Sequence, residues 1–431
     1  MKFLKEIEWK PKEEIKEHQE VRLQDTLQYL NLHSKFYHHL FEQNQIDINN
    51  ITSLDDLVKI PVTTKDDLFL RNQDFVCVPK NKIVDYITTS GTLGDPVTFA
   101  MTDKDLDRLA YNECMSFRTC GVSEEDTIQL MTTIDRRFMA GLAYFLGARK
   151  LGAGIVRVGN GIPELQWDTI NRIQPNIIIA VPSFILKVIE YAENHGIDYK
   201  NSSVRKAICI GEPLRNQDFS YTTLADRILE KWDIELYSTY ASTEMSTAFN
   251  ECNAGRGGHQ RPDLIITEFL DENNNPVPEG EPGEITVTTL GVEGMPILRF
   301  KTGDIAHRYT EKCSCGRSSL RVGPVIGRRN QMIKYKGTTL YPSALYDVLA
   351  DFPNIDDFFI EVYTNHIGTD DIQINILTQH TEAKYIKVLK DHFRAKLRVA
   401  PQIKLISKDL MKEKKYPEAS RKPKVFFDYR K

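Results

Sequence analysis

The stretch that decides the fold is Asn176-Ile177-Ile178-Ile179-Ala180-Val181-Pro182-Ser183, together with its two successors, Lys206 to Ile210 and Ile234 to Ser238. The first is a continuous apolar run, as expected of a strand covered on both faces. Phe184 to Asn194 then carries a helical pattern, Lys206 to Ile210 is a second strand, a helical stretch covers about 216–231, and Ile234 to Ser238 is a third strand. Strand–helix–strand alternation predicts a parallel sheet with helical crossovers, an α/β fold. Each strand runs into a polar loop: Pro182-Ser183, Gly211-Glu212-Pro213 and Tyr240-Ala241-Ser242-Thr243-Glu244. In such sheets ligands bind beyond the carboxyl ends of the strands, where these loops lie.

Outward from this centre the pattern changes. Residues 1–80 read as mostly helical and polar. Leu264 to Phe269, Glu284 to Thr289 and Ile297 to Phe300 read as short strands of a β-rich subdomain spanning about 250–326. A boundary falls near Gly327-Arg328-Arg329-Asn330, dividing the chain into 1–327 and a small α+β domain over 328–431. In the latter, Phe358 to Val362 and Ile372 to Ile376 read as strands, and Ile386, Leu389, Phe393 and Leu397 share one helical face.

Composition narrows the function. The chain has 431 residues, 41% hydrophobic and 27% charged, enough for a substantial core in more than one domain. A net charge of −4 gives no support for a nucleic-acid partner. No apolar run approaches the ~18 residues of a membrane span, and the charged start lacks the profile of a signal peptide. Seven scattered cysteines argue against a disulfide framework and for a cytoplasmic location. Cys77, Cys114, Cys120 and Cys209 are expected to pack as small apolar groups.

Several groups carry candidate chemistry. Ile87-Thr88-Thr89-Ser90-Gly91-Thr92-Leu93-Gly94-Asp95-Pro96 places hydroxyls and glycines between two strand-like stretches. Its backbone N–H groups suit phosphate oxygens, although a polar hairpin turn reads the same way. Glu244 at a strand end can hold Mg²⁺ against phosphates, with Tyr240 stacking on a base; the alternative is a loop carboxylate beside a half-buried tyrosine. Asp304, after the turn at Gly303, can accept both ribose hydroxyls or simply bond its own backbone. Lys422 and Lys424 lie in a basic tail that is either solvated or supplies a mobile lysine to a phosphoryl group. Cys252, His259, Cys313 and Cys315 flank the β-rich subdomain and have the donor set of a closed structural Zn²⁺ site; free cysteines and a surface histidine are the alternative.

Together these segments resemble the adenylate-forming enzymes, and within them the phenylacetate–CoA ligase family, over about residues 50–431. TTSGTLGDP (88–96) resembles the phosphate loop SSGTTGKP, IGEP (210–213) the segment bordering adenine, YASTE (240–244) the motif YGxSE, and FKTGD (300–304) the ribose motif YRTGD. GRRNQMIKYKGTTLYP (327–342) resembles the hinge motif and RKPKVFFD (421–428) the tail GKAKRVID. The resemblance implies a large adenylation domain with parallel sheets and a β-rich subdomain, followed by a mobile lid. It implies attack of a small carboxylic acid on ATP to give an acyl-adenylate, then thioester formation with coenzyme A. An aryl or arylalkyl acid such as phenylacetate is the expected substrate. Transfer to a carrier protein, or a silent nucleotide-binding scaffold, are the alternatives.

By motif match Thr88, Thr89, Ser90, Gly91, Thr92 and Gly94 would bind phosphates, and Glu244 would hold Mg²⁺. Tyr240 would stack on adenine with Gly211, Glu212 and Pro213 at its rim, and Tyr237, Ser238, Ala241, Ser242 and Thr243 would complete the nucleotide-binding set. Asp304 and Arg328 would hold ribose, Lys422 would assist adenylation, and Asn330 would stand at the hinge. Motif order places Met131 to Gly141, with Arg136, Arg137 and Phe138, and the Tyr237 to Thr243 strand end along the acyl pocket. The four-residue Cys/His set resembles a zinc site in a branch of the family, and a homodimer is the family-based expectation. Asp95 departs from the usual loop lysine, Asn330 from the usual hinge aspartate, and Pro423 from the usual alanine.

Overall fold

A computed structural model of the chain describes residues 6–89, 97–335, 338–365, 370–416 and 423–430. Two compact units emerge: Met1–Thr302 with Ala306–Val325, and Gly303–Ile305 with Ile326–Lys431.

The first unit begins with helices α1 (Lys12–His33), α2 (Lys35–Gln43) and α3 (Lys65–Leu70) and the antiparallel hairpin β1 (Ile83–Thr88) and β2 (Thr98–Thr102). Then follow α4 (Asp103–Thr119), β3 (Thr127–Leu130), α5 (Met139–Leu151), β4 (Gly154–Arg157), α6 (Pro163–Ile173), β5 (Ile177–Ala180), α7 (Pro182–Asn194), β6 (Lys206–Ile210), α8 (Thr223–Leu229) and β7 (Glu235–Ser242). β8 (Thr247–Asn250), β9 (Gly258–His259), β10 (Ile265–Leu270), β11 (Gly283–Thr289), β12 (Phe300–Ala306, whose Gly303–Ile305 belong to the second unit), β13 (Arg308–Tyr309) and β14 (Arg321–Val322) follow.

The main sheet runs β13-β14-β9-β8-β7-β6-β5-β3-β4. Pairing from β4 through β7 is parallel, and it turns antiparallel at β8. The apolar run at β5 is central, as read from the sequence, and its alternate residues serve two cores. Ile178 and Ala180 pack with Trp167, Ile185, Val188 and Trp232, while Ile177 and Ile179 pack with Phe117, Tyr144 and Leu151. Ala207 and Cys209 of β6 join the first core and Ile208 and Ile210 the second, so helices cover both faces. Pro182 opens α7, where its missing N–H costs nothing.

Two expected elements differ. The helix expected over 216–231 is confined to Thr223–Leu229. Ahead of it Asn216 N–H bonds Ser220 O (2.9 Å), Phe219 adopts φ +68°, and the Thr222 hydroxyl accepts from Ala225 N–H, so a tight turn consumes the early residues. The strand expected over Ile297–Phe300 instead starts at Phe300. Arg299 has φ +46°, which no extended strand tolerates, and its buried guanidinium is held by Glu268 (Nη2–Oε1 2.9 Å), Asn274 O and Ile60 O.

In the second unit Gln402–Leu405, Asp370–Leu377, Asp357–Thr364 and Phe426–Asp428 form a sheet in that order. Helices Pro342–Ala350 and Ala383–Leu397 add Leu345, Leu349, Leu389 and Phe393 to its core with Ile360, Val362 and Ile374. Among the described residues no helix is long and apolar enough to cross a membrane.

Candidate functional site

The parallel arrangement brings loops Val181-Pro182-Ser183, Gly211-Glu212-Pro213 and Ser242 to Ser246 to the carboxyl-end side of the sheet, because β5, β6 and β7 are adjacent and parallel; β7 runs on to Ser242, past the Ile210–Thr239 pair that closes β6. Gly211, at φ +77°, turns the chain out of β6 in a conformation that favours glycine. Glu212 is clamped across the neighbouring strand end: its carboxylate accepts from Ser183 N–H and from Ser183 Oγ, both at 2.8 Å. The start of α7 thus orients a proposed adenine-rim residue, and Ser183 is a contributor that the motif reading did not assign.

β7 and β8 form a hairpin with Ser242 opposite Thr247 and a turn over Thr243–Ser246. Tyr240 lies against Phe249 of β8, ring centroids 5.9 Å apart. Glu244 is half-buried on the turn, and Met245 beside it is fully buried in the core. Tyr237 and Ser238 lie further back on β7. The Tyr237 ring packs into the core with Tyr144 and Ile208, and its hydroxyl donates to Glu235 (2.6 Å). Ser238 N–H contacts the buried Glu251 carboxylate, which also receives Arg215 Nε (3.4 Å); burial raises this carboxyl against the pull of Arg215. Ala241 is exposed, while Ser242 and Thr243 are half-buried.

At the base of the hydroxyl-rich loop, Thr88 and Thr89 are buried. Thr88 N–H donates to Arg137 O (3.1 Å), Thr89 N–H donates to Val97 O, and Thr89 Oγ1 accepts from Val97 N–H, both 3.0 Å. Thr88 therefore touches the Met131 to Gly141 segment, where Arg136 and Arg137 both hold φ +58°. Ser90, Gly91, Thr92 and Gly94 lie outside the described residues, as does Lys422.

In the second unit Asp304 and Arg328 are register partners, and Arg328 Nε donates to Asp304 Oδ1 at 3.1 Å. Asn330 follows in a short 3₁₀ turn, Arg329–Gln331.

Cys252, His259, Cys313 and Cys315 converge: their donor atoms all lie within 4.8 Å of one another. The Sγ atoms of Cys252 and Cys313 are 3.7 Å apart, and Cys315 Sγ is 3.5 Å from His259 Nε2. Tetrahedral coordination at ordinary zinc distances sets sulfur pairs about 3.8 Å apart and sulfur–nitrogen pairs about 3.6 Å apart, so the donor set fits such an ion. His259 Nδ1 faces Ser319 Oγ (3.3 Å), and Arg317 Nη1 donates to Cys315 Sγ (3.5 Å). Burial and the guanidiniums of Arg317, Arg261 and Arg321 push the imidazole down to about 3, keeping it neutral as a ligand requires. Burial pushes the Cys252 thiol up to about 12, so an ion must displace its proton. The N-terminal turn closes over this loop. Glu8 pairs with Arg261 and Arg317, and its carbonyl accepts from Ser318 N–H (2.7 Å). Cys77, Cys114, Cys120 and Cys209 are buried, as expected.

Against known proteins, a family model described as AMP-binding enzyme matches residues 10–293. A phenylacetate-coenzyme A ligase from Thermus thermophilus is 28% identical over 87% of this chain and 84% of its own length. One from Aromatoleum evansii is 28% identical over 86% and 84%. Among solved structures, a 2-hydroxyisobutyryl-CoA ligase in the postadenylation state, in complex with R3-HIB-AMP, is similar with a TM-score of 0.83 at 22% identity, covering 98% of this chain and 91% of that one. That likeness is one of fold.

Proposed function

The chain belongs to the family of AMP-binding enzymes, and from that premise we propose that it joins a carboxylic acid to coenzyme A with ATP, through an acyl-adenylate. The observation that carries this reading is the gathering of the Gly211–Pro213 and Thr243–Ser246 loops at adjacent parallel strand ends, the ligand-binding edge of such a sheet. The relatives named phenylacetate-coenzyme A ligase support an aryl or arylalkyl acid, such as phenylacetate, as substrate.

In the first step a carboxylate oxygen bonds to the α-phosphorus of ATP and pyrophosphate leaves. Negative charge grows on the phosphoryl oxygens, so fixed donors matter most. Thr88 and Thr89, with Ser90, Gly91, Thr92 and Gly94, are assigned to those oxygens, and Lys422 supplies a positive charge. Glu244 is assigned as ligand to Mg²⁺, which when bound neutralises phosphate charge. Tyr240 and the Gly211-Glu212-Pro213 rim hold adenine, and Asp304 and Arg328 hold ribose. In the second step the thiol sulfur bonds to the acyl carbon and AMP leaves. The Cys252, His259, Cys313 and Cys315 set is assigned to one structural Zn²⁺, which cross-links two distant chain segments and takes no part in either step.

The test is acid-dependent exchange of labelled pyrophosphate into ATP, followed by thioester formation with coenzyme A, over a panel of aromatic and medium-chain acids. Exchange with at least one acid, and a thioester with coenzyme A, is the expected result. Silence over the whole panel refutes the assignment, and exchange with transfer only to a carrier protein redirects its second step.

A further inference from the structure

Helix α4 carries a charged residue whose position the reaction outlined above leaves unexplained. Arg108 is 1% exposed, and its guanidinium reaches four acceptors on three other segments. Nε donates to Leu290 O (2.9 Å), Nη1 to Ser246 O (2.6 Å), and Nη2 to both Leu264 O (2.7 Å) and Thr247 Oγ1 (3.1 Å). All four acceptors are neutral. Burying this guanidinium is costly, a cost that attraction to the Asp105 and Asp263 carboxylates offsets only in part, whereas an apolar side chain of similar volume would fill the space without desolvation. What the guanidinium alone supplies is a rigid fork of donors that fixes several carbonyls at once.

Two of those acceptors belong to Ser246 and Thr247, at the end of the turn that carries Glu244. Ser246 sits at φ +47°, left-handed and without glycine's freedom, so something must hold its peptide. One helical turn further on, Asn112 Oδ1 accepts from Ala248 N–H (3.2 Å), extending the same grip along β8. Glu244 itself makes no hydrogen bond or ion pair to another described residue, and it is half-buried. The chain is therefore clamped two and three residues beyond Glu244, at Ser246 and Thr247, while no described residue holds the Glu244 carboxylate.

We propose that Arg108 is the positioning residue for the Glu244 carboxylate, fixing the Thr243–Ser246 turn so that this oxygen ligand is preorganised for a divalent cation beside nucleotide phosphate. The proposal rests on the assignment of Glu244 as cation ligand made above.

The test compares R108K, T247V and E244Q with the wild type in two readouts: Mn²⁺ binding to the protein with a non-hydrolysable ATP analogue, by electron paramagnetic resonance, and the Mg²⁺ dependence of pyrophosphate exchange. Lysine keeps the charge and loses the fork. R108K is expected to weaken Mn²⁺ about tenfold and raise half-saturating Mg²⁺ by the same factor, as losses around a metal ligand do, with KM for the acid unchanged. Wild-type Mn²⁺ affinity in folded R108K overturns the proposal. Should R108K fail to fold, T247V removes a single acceptor at constant volume: a smaller shift in the same direction supports the proposal and wild-type affinity overturns it. E244Q separates the two levels of the argument. If it binds Mn²⁺ as the wild type does, the Glu244 assignment falls and the role of Arg108 with it; if it loses Mn²⁺ while R108K does not, only the role of Arg108 falls.

Discussion

Glu113 sits where α4 meets α5, opposite Gly147, at which an added Cβ would come within 2.3 Å of the Glu113 Cβ. Its carboxyl accepts from Asn112 Nδ2 (3.0 Å), and burial pushes it up to about 7, against the pull of Arg261. The folded state thus holds this proton more tightly than the unfolded chain does. The resulting stability is fully present below about pH 4.5 and is lost as pH rises through about 7. E113Q removes the titration. The glutamine variant is expected to match the wild type near pH 4.5 and to exceed it at pH 8 by up to about 3 kcal/mol, read from denaturant midpoints at the two pH values. Equal pH dependence in the two proteins would remove Glu113 from this role. Neither Glu113 nor Arg108 is legible as buried in Arg108-Leu109-Ala110-Tyr111-Asn112-Glu113, since charges on a helix ordinarily face water. Only the close approach of α5 and the β7–β8 turn puts them inside.

At the scale of elements, the Cys313–Ser319 loop is the clearest case. Arg317 donates to Cys315 Sγ, pairs with Glu8, and lies under the Trp9 ring at 4.5 Å, so one loop joins the metal donors to the N-terminal turn. Purified protein is expected to hold about one tightly bound Zn²⁺ per chain. C313S should lose it and, because binding energy is folding energy at such a site, should melt at lower temperature and expose its N-terminal residues to protease. Metal analysis and thermal melting decide this; a metal-free native protein of equal stability would end the assignment. The four donors were identifiable from the sequence by type and by their place around one β-rich region. Their companions Glu8 and Arg261 were not, because they reach the site only through packing of segments far apart in the chain.

For the molecule as a whole, the two units divide the assigned residues: Thr88, Glu212, Tyr240 and Glu244 fall in the first, Asp304 and Arg328 in the second. Different surfaces of two units can serve two steps in turn. Lys422→Ala is expected to cut adenylation about a hundredfold, the scale of losing one group that meets developing phosphoryl charge, while thioester formation from preformed acyl-adenylate stays near wild type. Single-turnover assays of each half-reaction test this, and equal losses would take Lys422 out of its assigned role.

Local chemistry was enough to write down the parallel strands, their polar ends and the order of the motifs. Apolar runs, prolines and glycines constrain the backbone wherever they occur, and those constraints act over a few residues. The left-handed Arg299 that displaces β12, the clamp of Ser183 on Glu212 and the fork of Arg108 at the end of the turn that carries Glu244 belong to the tertiary structure alone. Each is a polar group whose partner lies tens to hundreds of residues away, and it takes a definite geometry only once burial has removed water as the competing partner.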